Sequence, residues 1–393
     1  MTSKTMVAKI GLFAEEVGDH VTDAWLGVAQ YGSTARRWCM HVTHEIGELL
    51  SRDNRFEALI GFWLPEHLSE LRAFPGELVN LSPELDTDQL PGMPTVGVDY
   101  AAIGETAANY FLDKGFRALA LCSYHHTGIL GALRYSFIRT AGLRGVAVEV
   151  YDRLCPSYPP ARIPEHARVF SRRTLVDWVM QLPKPIGILC NRDSRAMRVL
   201  GICEAMGVGV PEQVSVLGIG DDRTFRHFSR PSLSSVAIPS QRIGFEAARL
   251  LDSMLCHRKP RPRPLLLRPR GIITRQSTDA YCVDDPLIAE VMRYVHVHAR
   301  EGIGLPDLLR EFPVSRAALM QRFKKAANRS PYQAILRERL EHAKGMLIRD
   351  EESLEGVAAA SGFSSAVRMA RALKRQIGVS PGRFRRLNRD LPR

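Results

Sequence analysis

The sequence predicts an α/β domain built on parallel sheets flanked by helices, followed by a smaller all-α domain carrying two helix-turn-helix units. Three observations predict it. From Val7 to Gly271 short apolar runs alternate with amphipathic helical patterns, the pattern of strands joined by crossover helices. A two-helix pattern occurs twice near the end, at Leu305–Lys325 and Leu354–Arg375. The excess positive charge concentrates on that last stretch. Between Pro286 and Arg393, 21 Lys and Arg face 11 Asp and Glu, which is ten of the chain's net +12. Such uneven charge is the footprint of a domain that meets phosphates; a merely solvated basic face is the blander reading, and the repeat weighs against it.

In chain order, the apolar runs predict strands at Lys9–Phe13, Trp38–Thr43, Ala58–Phe62, Leu78–Leu81, Thr95–Val98, Ala118–Cys122, Val146–Val150, Ile186–Cys190 and Ser215–Ile219. The 3.6-residue pattern predicts helices at Val21–Tyr31, Tyr100–Lys114, Leu133–Ala141, Arg173–Gln181, Arg195–Met206 and Arg242–Leu255. Asp99 and Asp193 stand where a strand gives way to a helix, so both are candidate N-caps. Ligands in such folds bind at the C-terminal ends of the strands. His257–Pro264 is a basic, proline-rich connector, and Ser277–Pro286 is a polar, proline-ended linker before a helix over Leu287–Arg300.

The repeat follows. Leu308, Leu309 and Phe312 share one helical face, and Leu319 and Phe323 on the next helix face back at them. Ser315 is a good N-cap for that second helix, with Ser364 or Ser365 in the repeat. The second helices match at an offset of 50, Leu319 on Met369 and Phe323 on Leu373, whereas the turns match at 49, Pro313 on Gly362. Between the units, Pro331–Arg349 predicts a spacer helix with Ile335, Leu336, Leu340, Ala343 and Leu347 on one stripe. Two recognition helices held about 34 Å apart would enter successive major grooves of one duplex.

The stretches RERLEHAKGMLI (337–348), GFSS (362–365), ALKRQIGVSP (372–381) and FRR (384–386) resemble the DNA-binding domain of the AraC/XylS transcription regulators. The resemblance implies base-reading positions at Arg316, Ala317, Met320 and Gln321 in the first unit, and at Ala366, Val367, Arg368 and Arg371 in the second. Arginine on guanine is the commonest specific contact, so Arg368 and Arg371 carry the greater expectation, with phosphate contact as the alternative. Arg322, Lys324, Lys325, Lys374, Arg375 and Arg383 are expected to meet phosphates, which sets affinity without reading sequence. The chain departs from the family pattern at Arg368-Met369 (an aromatic pair there), at Leu373 (a Phe) and at Pro313 (a Gly).

Ahead of this, the stretches 94–121, 185–222, 231–255 and 269–278 resemble the effector-binding core of LacI/GalR repressors. That implies two lobes, about 7–99 with 230–256 and 100–229, with 257–278 returning near the hinge. The domains are then an effector-binding domain over 7–278, a linker over 279–286 and a DNA-binding domain over 287–390. A sensor of the first kind ahead of a reader of the second is the order found in regulators of xylose-type sugar operons. It implies a small-sugar effector, a homodimer on repeated half-sites of double-stranded DNA, and contact with RNA polymerase as an activator. Effector candidates are Asp193, Asp221, Asp19 and Arg134. Many relatives have an Asp where this chain has Gly220, and Arg134 is one residue out of register with Leu133 in its place. The nearer alternative is the same build with another pentose, a hexose or a derivative; the more distant one is a sugar-binding protein with no regulatory role.

Other classes find little support. There is no P-loop, nucleophile elbow, H-E-x-x-H or dinucleotide fingerprint, so an enzyme is not expected, and no cofactor or metal is implied. Seven scattered cysteines without a C-x-x-C pair suggest reduced thiols in a cytoplasm. No apolar run reaches membrane length and the start shows no leader pattern, so neither membrane insertion nor secretion is expected. His125-His126 reads as a loop pair rather than a metal site.

Overall fold

The computed structural model describes residues 8–15, 18–35, 38–51, 56–82, 93–123, 128–152, 174–256, 263–280, 282, 285–327, 329–349 and 352–388. The His125-His126 pair and most of the basic 257–264 connector lie outside them.

The first lobe is a parallel sheet in the order β2-β1-β3-β4, from β1 (Lys9–Ala14), β2 (Cys39–Thr43), β3 (Ala58–Phe62) and β4 (Glu77–Asn80). A bridge from Asn80 to Thr95 continues it to β5 (Val96–Val98), which pairs with β11 (Leu265–Leu267). It carries α1 (Asp19–Ala35), the short α2 (Ile46–Leu49) and α3 (Leu68–Ala73), and α9 (Ser240–Leu255). The helices α1 and α9 cross at backbone distance because Gly27 and Gly244 face each other's neighbours. A Cβ on Gly27 would sit 1.8 Å from the Gln241 carbonyl, and one on Gly244 1.8 Å from that of Ala24.

The second lobe is a six-stranded sheet in the order β12-β10-β9-β8-β6-β7. Its strands are β6 (Leu119–Ser123), β7 (Val148–Asp152), β8 (Ile186–Cys190), β9 (Val214–Gly220), β10 (Ser234–Ala237) and β12 (Gly271–Ile273). Around it stand α4 (Tyr100–Asp113), α5 (Gly128–Gly142), α6 (Leu175–Gln181), α7 (Asp193–Ala205) and α8 (Arg223–Phe228). Asp99 caps α4 as expected, accepting from Ala102 N. All pairs in both sheets are parallel except β10 with β12. Phe111 of α4 packs against Gly187, where a Cβ would be 2.5 Å from its ring.

Among the described residues the chain crosses between lobes at β5 to α4, β10 to α9, and β11 to β12. The resemblance to the LacI/GalR core implies a second crossing near residue 230. The structure moves it to 237–240, because Ser234–Ala237 pairs in register with Leu217–Gly220 of the second lobe. The strand is hard to read since two of its four buried residues are serines, each hydrogen-bonded: Ser234 Oγ to Arg275 O and Ser235 Oγ to Asp193.

The remaining elements are helical: α10 (Pro286–His298), α11 (Leu305–Glu311), α12 (Arg316–Ala327), α13 (Pro331–Arg349), α14 (Leu354–Ala360), α15 (Ala366–Ile377) and α16 (Pro381–Asn388). They enclose two separate cores. One holds Ile288, Val291, Val295, Leu308, Leu319, Phe323 and Ile335; the other holds Leu340, Leu347, Val357, Phe363, Met369 and Leu373. The spacer helix α13 contributes its first half to one core and its second half to the other.

Candidate nucleic-acid interface and effector cleft

Each helix-turn-helix unit is fixed by its buried side. Leu319 and Phe323 turn inward from α12, and Met369 and Leu373 from α15. The departures at Met369 and Leu373 are therefore core substitutions, whereas Arg368 carries its departure on the outer surface. Ser315 Oγ accepts from Ala318 N at 3.2 Å, and Ser365 Oγ from Arg368 N at 3.3 Å, so Ser365 rather than Ser364 caps the second recognition helix. The turns differ in shape. Gly362 takes φ +77°, a left-handed geometry, and a Cβ there would lie 2.4 Å from the Ala299 carbonyl. At the first turn Phe312 is extended (φ −112°, ψ 125°) before Pro313, which suits a residue preceding proline. A different turn accounts for the one-residue change of offset.

What remains outside is the expected reading face. Arg316, Ala317, Met320 and Gln321 are exposed on α12, as are Val367, Arg368 and Arg371 on α15; Ala366 is half-buried against the second core. Lys324, Lys325, Lys374, Arg375 and Arg383 are exposed too. Arg322 differs, since Asp285, the N-cap of α10, holds its guanidinium at 2.6 and 2.5 Å. That contact pulls the Asp285 carboxyl below its usual range. A phosphate at Arg322 would have to compete with this carboxylate.

In the cleft, three of the four effector candidates meet at the C-terminal ends of the strands. Asp193 is not the N-cap of α7; Arg192 holds that position. Its carboxylate turns inward and is 4 % exposed. Oδ1 accepts from Ser235 Oγ at 2.6 Å and Oδ2 from Asp222 N at 2.8 Å. Gly218 and Gly220 make room for it: a Cβ on Gly218 would fall 2.0 Å from Oδ1. Burial pushes the Asp193 carboxyl up to about 6, despite these two donors. Asp221 has φ +58°, a conformation Asp tolerates better than most residues. Its Oδ1 accepts from Arg275 at 2.6 Å, and its N–H donates to Ser235 Oγ. Asp19 opens α1 on the opposite lobe and meets Arg223 of α8 through both the backbone N–H and the guanidinium; Asp23 takes the same guanidinium at 3.0 Å. Here the two lobes touch across the cleft mouth. Arg134 is half-buried on α5.

Sequence reasoning missed several residues at this cleft. Phe62 ends β3 and meets the edges of His20 (5.7 Å) and Trp25 (5.6 Å), giving the first lobe an aromatic wall. Among the described residues, the Trp25 Nε1–H and the Asn191 Oδ1, just past β8, are buried and find no hydrogen-bond partner. Single aromatic residues scattered along a helix and a strand carry no motif, so only the topology brings them together. In one further cluster Glu15, Glu66 and His67 bring their ligand atoms within 4.8 Å of one another. His67 Nδ1 accepts from Leu64 N and its Nε2 lies 2.8 Å from Glu15. Both ring nitrogens are thus used within the protein, and the cluster braces the turn after β3 rather than offering a ligand set.

Comparison with known proteins follows the same division. Residues 92–278 match the periplasmic binding protein-like domain, and residues 308–387 match a helix-turn-helix domain. The xylose operon regulatory proteins of Haemophilus influenzae and Escherichia coli are each 28% identical to this chain. The first aligns over 76% of this chain and 76% of its own length, the second over 77% and 76%. A solved structure of a xylose-binding transcription activator superposes over 98% of this chain and 99% of its own, with a TM-score of 0.59 at 24% identity. Among the described residues no helix is long and apolar enough to cross a membrane.

Proposed function

We propose, on the premise that this chain is a DNA-binding transcription regulator joining a domain of the periplasmic binding protein-like family to one of the helix-turn-helix family, that a small sugar of the xylose type bound between its lobes controls which DNA it holds. The domains are 7–278 for the sensor, 279–286 for the linker and 287–390 for the reader. It is a regulator and not an enzyme, as its relatives are regulators. The effector meets Asp193, Asp221 and Asp19, with Phe62 supplying an apolar face; Arg134 is the least supported contact. On the DNA, Arg368 and Arg371 read bases with Val367 and Ala366 beside them, and Arg316, Ala317, Met320 and Gln321 read a second groove. Lys324, Lys325, Lys374, Arg375, Arg383 and Arg322 meet phosphates. The chain works in the cytoplasm as a homodimer on repeated half-sites and activates transcription through RNA polymerase.

One observation carries this reading. Two helices of like sequence each bury one face in its own core and present the opposite, basic face to solvent. A catalytic or transport role gives such faces no purpose. The effector part rests on three carboxylates from two lobes converging where parallel strands end, since carboxylates accept the paired hydroxyls of a sugar. The test is a thermal-shift series of the full chain with D-xylose, other pentoses and hexoses, beside selection of bound duplexes from a random pool. Stabilisation by one sugar class and recovery of a repeated motif are expected. Recovery of random duplex alone would reject the regulator, and indifference to every sugar would reject the effector class.

A further inference from the structure

We infer that the two helix-turn-helix units are anchored to different lobes of the sensor, so that the angle of the effector cleft sets their mutual placement. The inference rests on the reading of the chain as an effector-controlled DNA-binding regulator and adds the means of control.

The first anchor is an ionic cluster where the second lobe meets the first unit. Asp113 closes α4, a helix of the second lobe. Its carboxylate pairs with Arg337 of the spacer helix α13, its backbone carbonyl accepts from Arg329 just before that helix, and Arg144 stands 3.8 Å from its other oxygen. The next residue, Lys114, is buried; its ammonium lies over the Tyr110 ring at 5.3 Å, and its carbonyl accepts from Cys282 N at 2.8 Å. Tyr110 in turn bonds Thr274 and Thr278 through its hydroxyl, at 2.9 and 2.6 Å. From the reader side, His296 of α10 lies 2.9 Å from Glu338 of α13 and 3.5 Å from Asp279 at the end of the sensor. Four segments far apart in sequence thus interleave opposite charges. Against the effect of burial, the bond to His296 and the nearby cations hold the Glu338 carboxyl down to about 2, while burial draws the Lys114 ammonium down to about 8 although Glu338 and Asp279 oppose it. Breaking one partner of so enclosed a set leaves the others uncompensated.

The second anchor is on the other lobe. Arg242, in the first turn of α9, donates from Nη1 to the backbone carbonyl of Arg386 in α16 at 2.8 Å, while Glu246 stands 3.7 Å from its other nitrogen. The helix α9 belongs to the first lobe by its close crossing with α1, and α16 packs in the second reader core through Phe384.

The two reader cores share no residue, and α13 is the rod between them. With the first core held by Asp113 and the second by Arg242, a rotation of one lobe against the other loads α13 at both ends. It then shifts one recognition helix against the other. Cleft closure therefore needs no contact with DNA to change which half-site spacing fits. Asp113, Arg337 and Arg242 are positioning residues in this scheme.

Two measurements on the full chain test it. Small-angle X-ray scattering of Arg337→Asp should give a larger radius of gyration than the wild type, and adding Asp113→Arg should restore the wild-type value. An unchanged radius in the single variant, or no restoration in the pair, overturns the first anchor. A thermal midpoint and far-UV circular dichroism spectrum of the single variant equal to wild type separate detachment from unfolding, and their loss together with the larger radius would overturn the reading of that radius as detachment. The second measurement is the ratio of DNA affinities with and without saturating D-xylose. Arg242→Ala should bring that ratio from severalfold to within about twofold of unity, with D-xylose affinity by calorimetry unchanged. A ratio kept at the wild-type value overturns the second anchor. Absence of any D-xylose heat with the wild type counts against the effector reading alone, because the scattering comparison does not depend on it.

Discussion

Replacing Asp193 by Asn should make the sensor more stable at neutral pH, against the usual expectation for removing a buried, doubly bonded carboxylate. The Asp193 carboxyl is raised from 3.8 to about 6, chiefly by burial, with Asp221 and Asp222 adding like-charge repulsion. A raised carboxyl keeps its proton in the folded protein at pH values where the unfolded chain has lost it. Its favourable contribution is complete below 3.8 and disappears as pH rises through about 6. At 1.36 kcal/mol per unit, ionising it in place costs about 3 kcal/mol by pH 8. Asparagine resembles the protonated acid: its carbonyl still accepts from Asp222 N, and its amide can donate to Ser235 Oγ in place of the bond it received. Exchanging one hydrogen-bond direction costs about 1 kcal/mol. The variant should therefore gain about 2 kcal/mol at pH 8 and lose about 1 kcal/mol near pH 4. Urea titrations of the sensor transition across that range, followed by far-UV circular dichroism, give the comparison. A variant destabilised equally at both ends would mean that the buried carboxylate is not strained and that the reasoning fails.

Arg368→Ala should cost about 1–3 kcal/mol at one base position and relax preference there; gel-shift titrations on a set of single-base variants would reveal an even loss if the residue only meets phosphate. Lys374→Ala should weaken binding alike on all sequences and lower the slope of log affinity against log salt by about 1, so an unaltered slope would remove it from the phosphate contacts. Gly244→Ala should destabilise the first lobe by about 1–3 kcal/mol, because the new methyl meets the Ala24 carbonyl; a thermal midpoint equal to wild type would show that α1 and α9 yield freely.

Much of the fold could be read because its signals are local. The strand Ile186–Cys190 is five buried apolar residues in succession, and both its ends were predicted. The caps Asp99 and Ser365 sit within three residues of the N–H groups they hold. The strands β10, β11 and β12 carry no legible pattern, being three or four residues long, with buried serines in β10 and half-exposed residues in the other two. In the cleft, sequence placed Asp19, Asp193 and Asp221 in one region but not their partners. Arg223, Ser235 and Arg275 reach them across 204, 42 and 54 residues. The sequence predicts a cap at Asp193 because it follows a strand; the room left by Gly218 lets it turn inward instead. The junction of Asp113 with Arg329 and Arg337 was invisible for the same reason, since nothing in a charged helix end says which distant arginine will find it.

The central claim is that two basic helices select a DNA sequence. Fluorescence anisotropy of the full chain, with a duplex selected from the random pool and a scrambled duplex of equal length and composition, tests it most directly at physiological salt. The account predicts tighter binding to the selected duplex by at least about a thousandfold, with the preference reduced in Arg368→Ala. Equal affinity for both duplexes would contradict it.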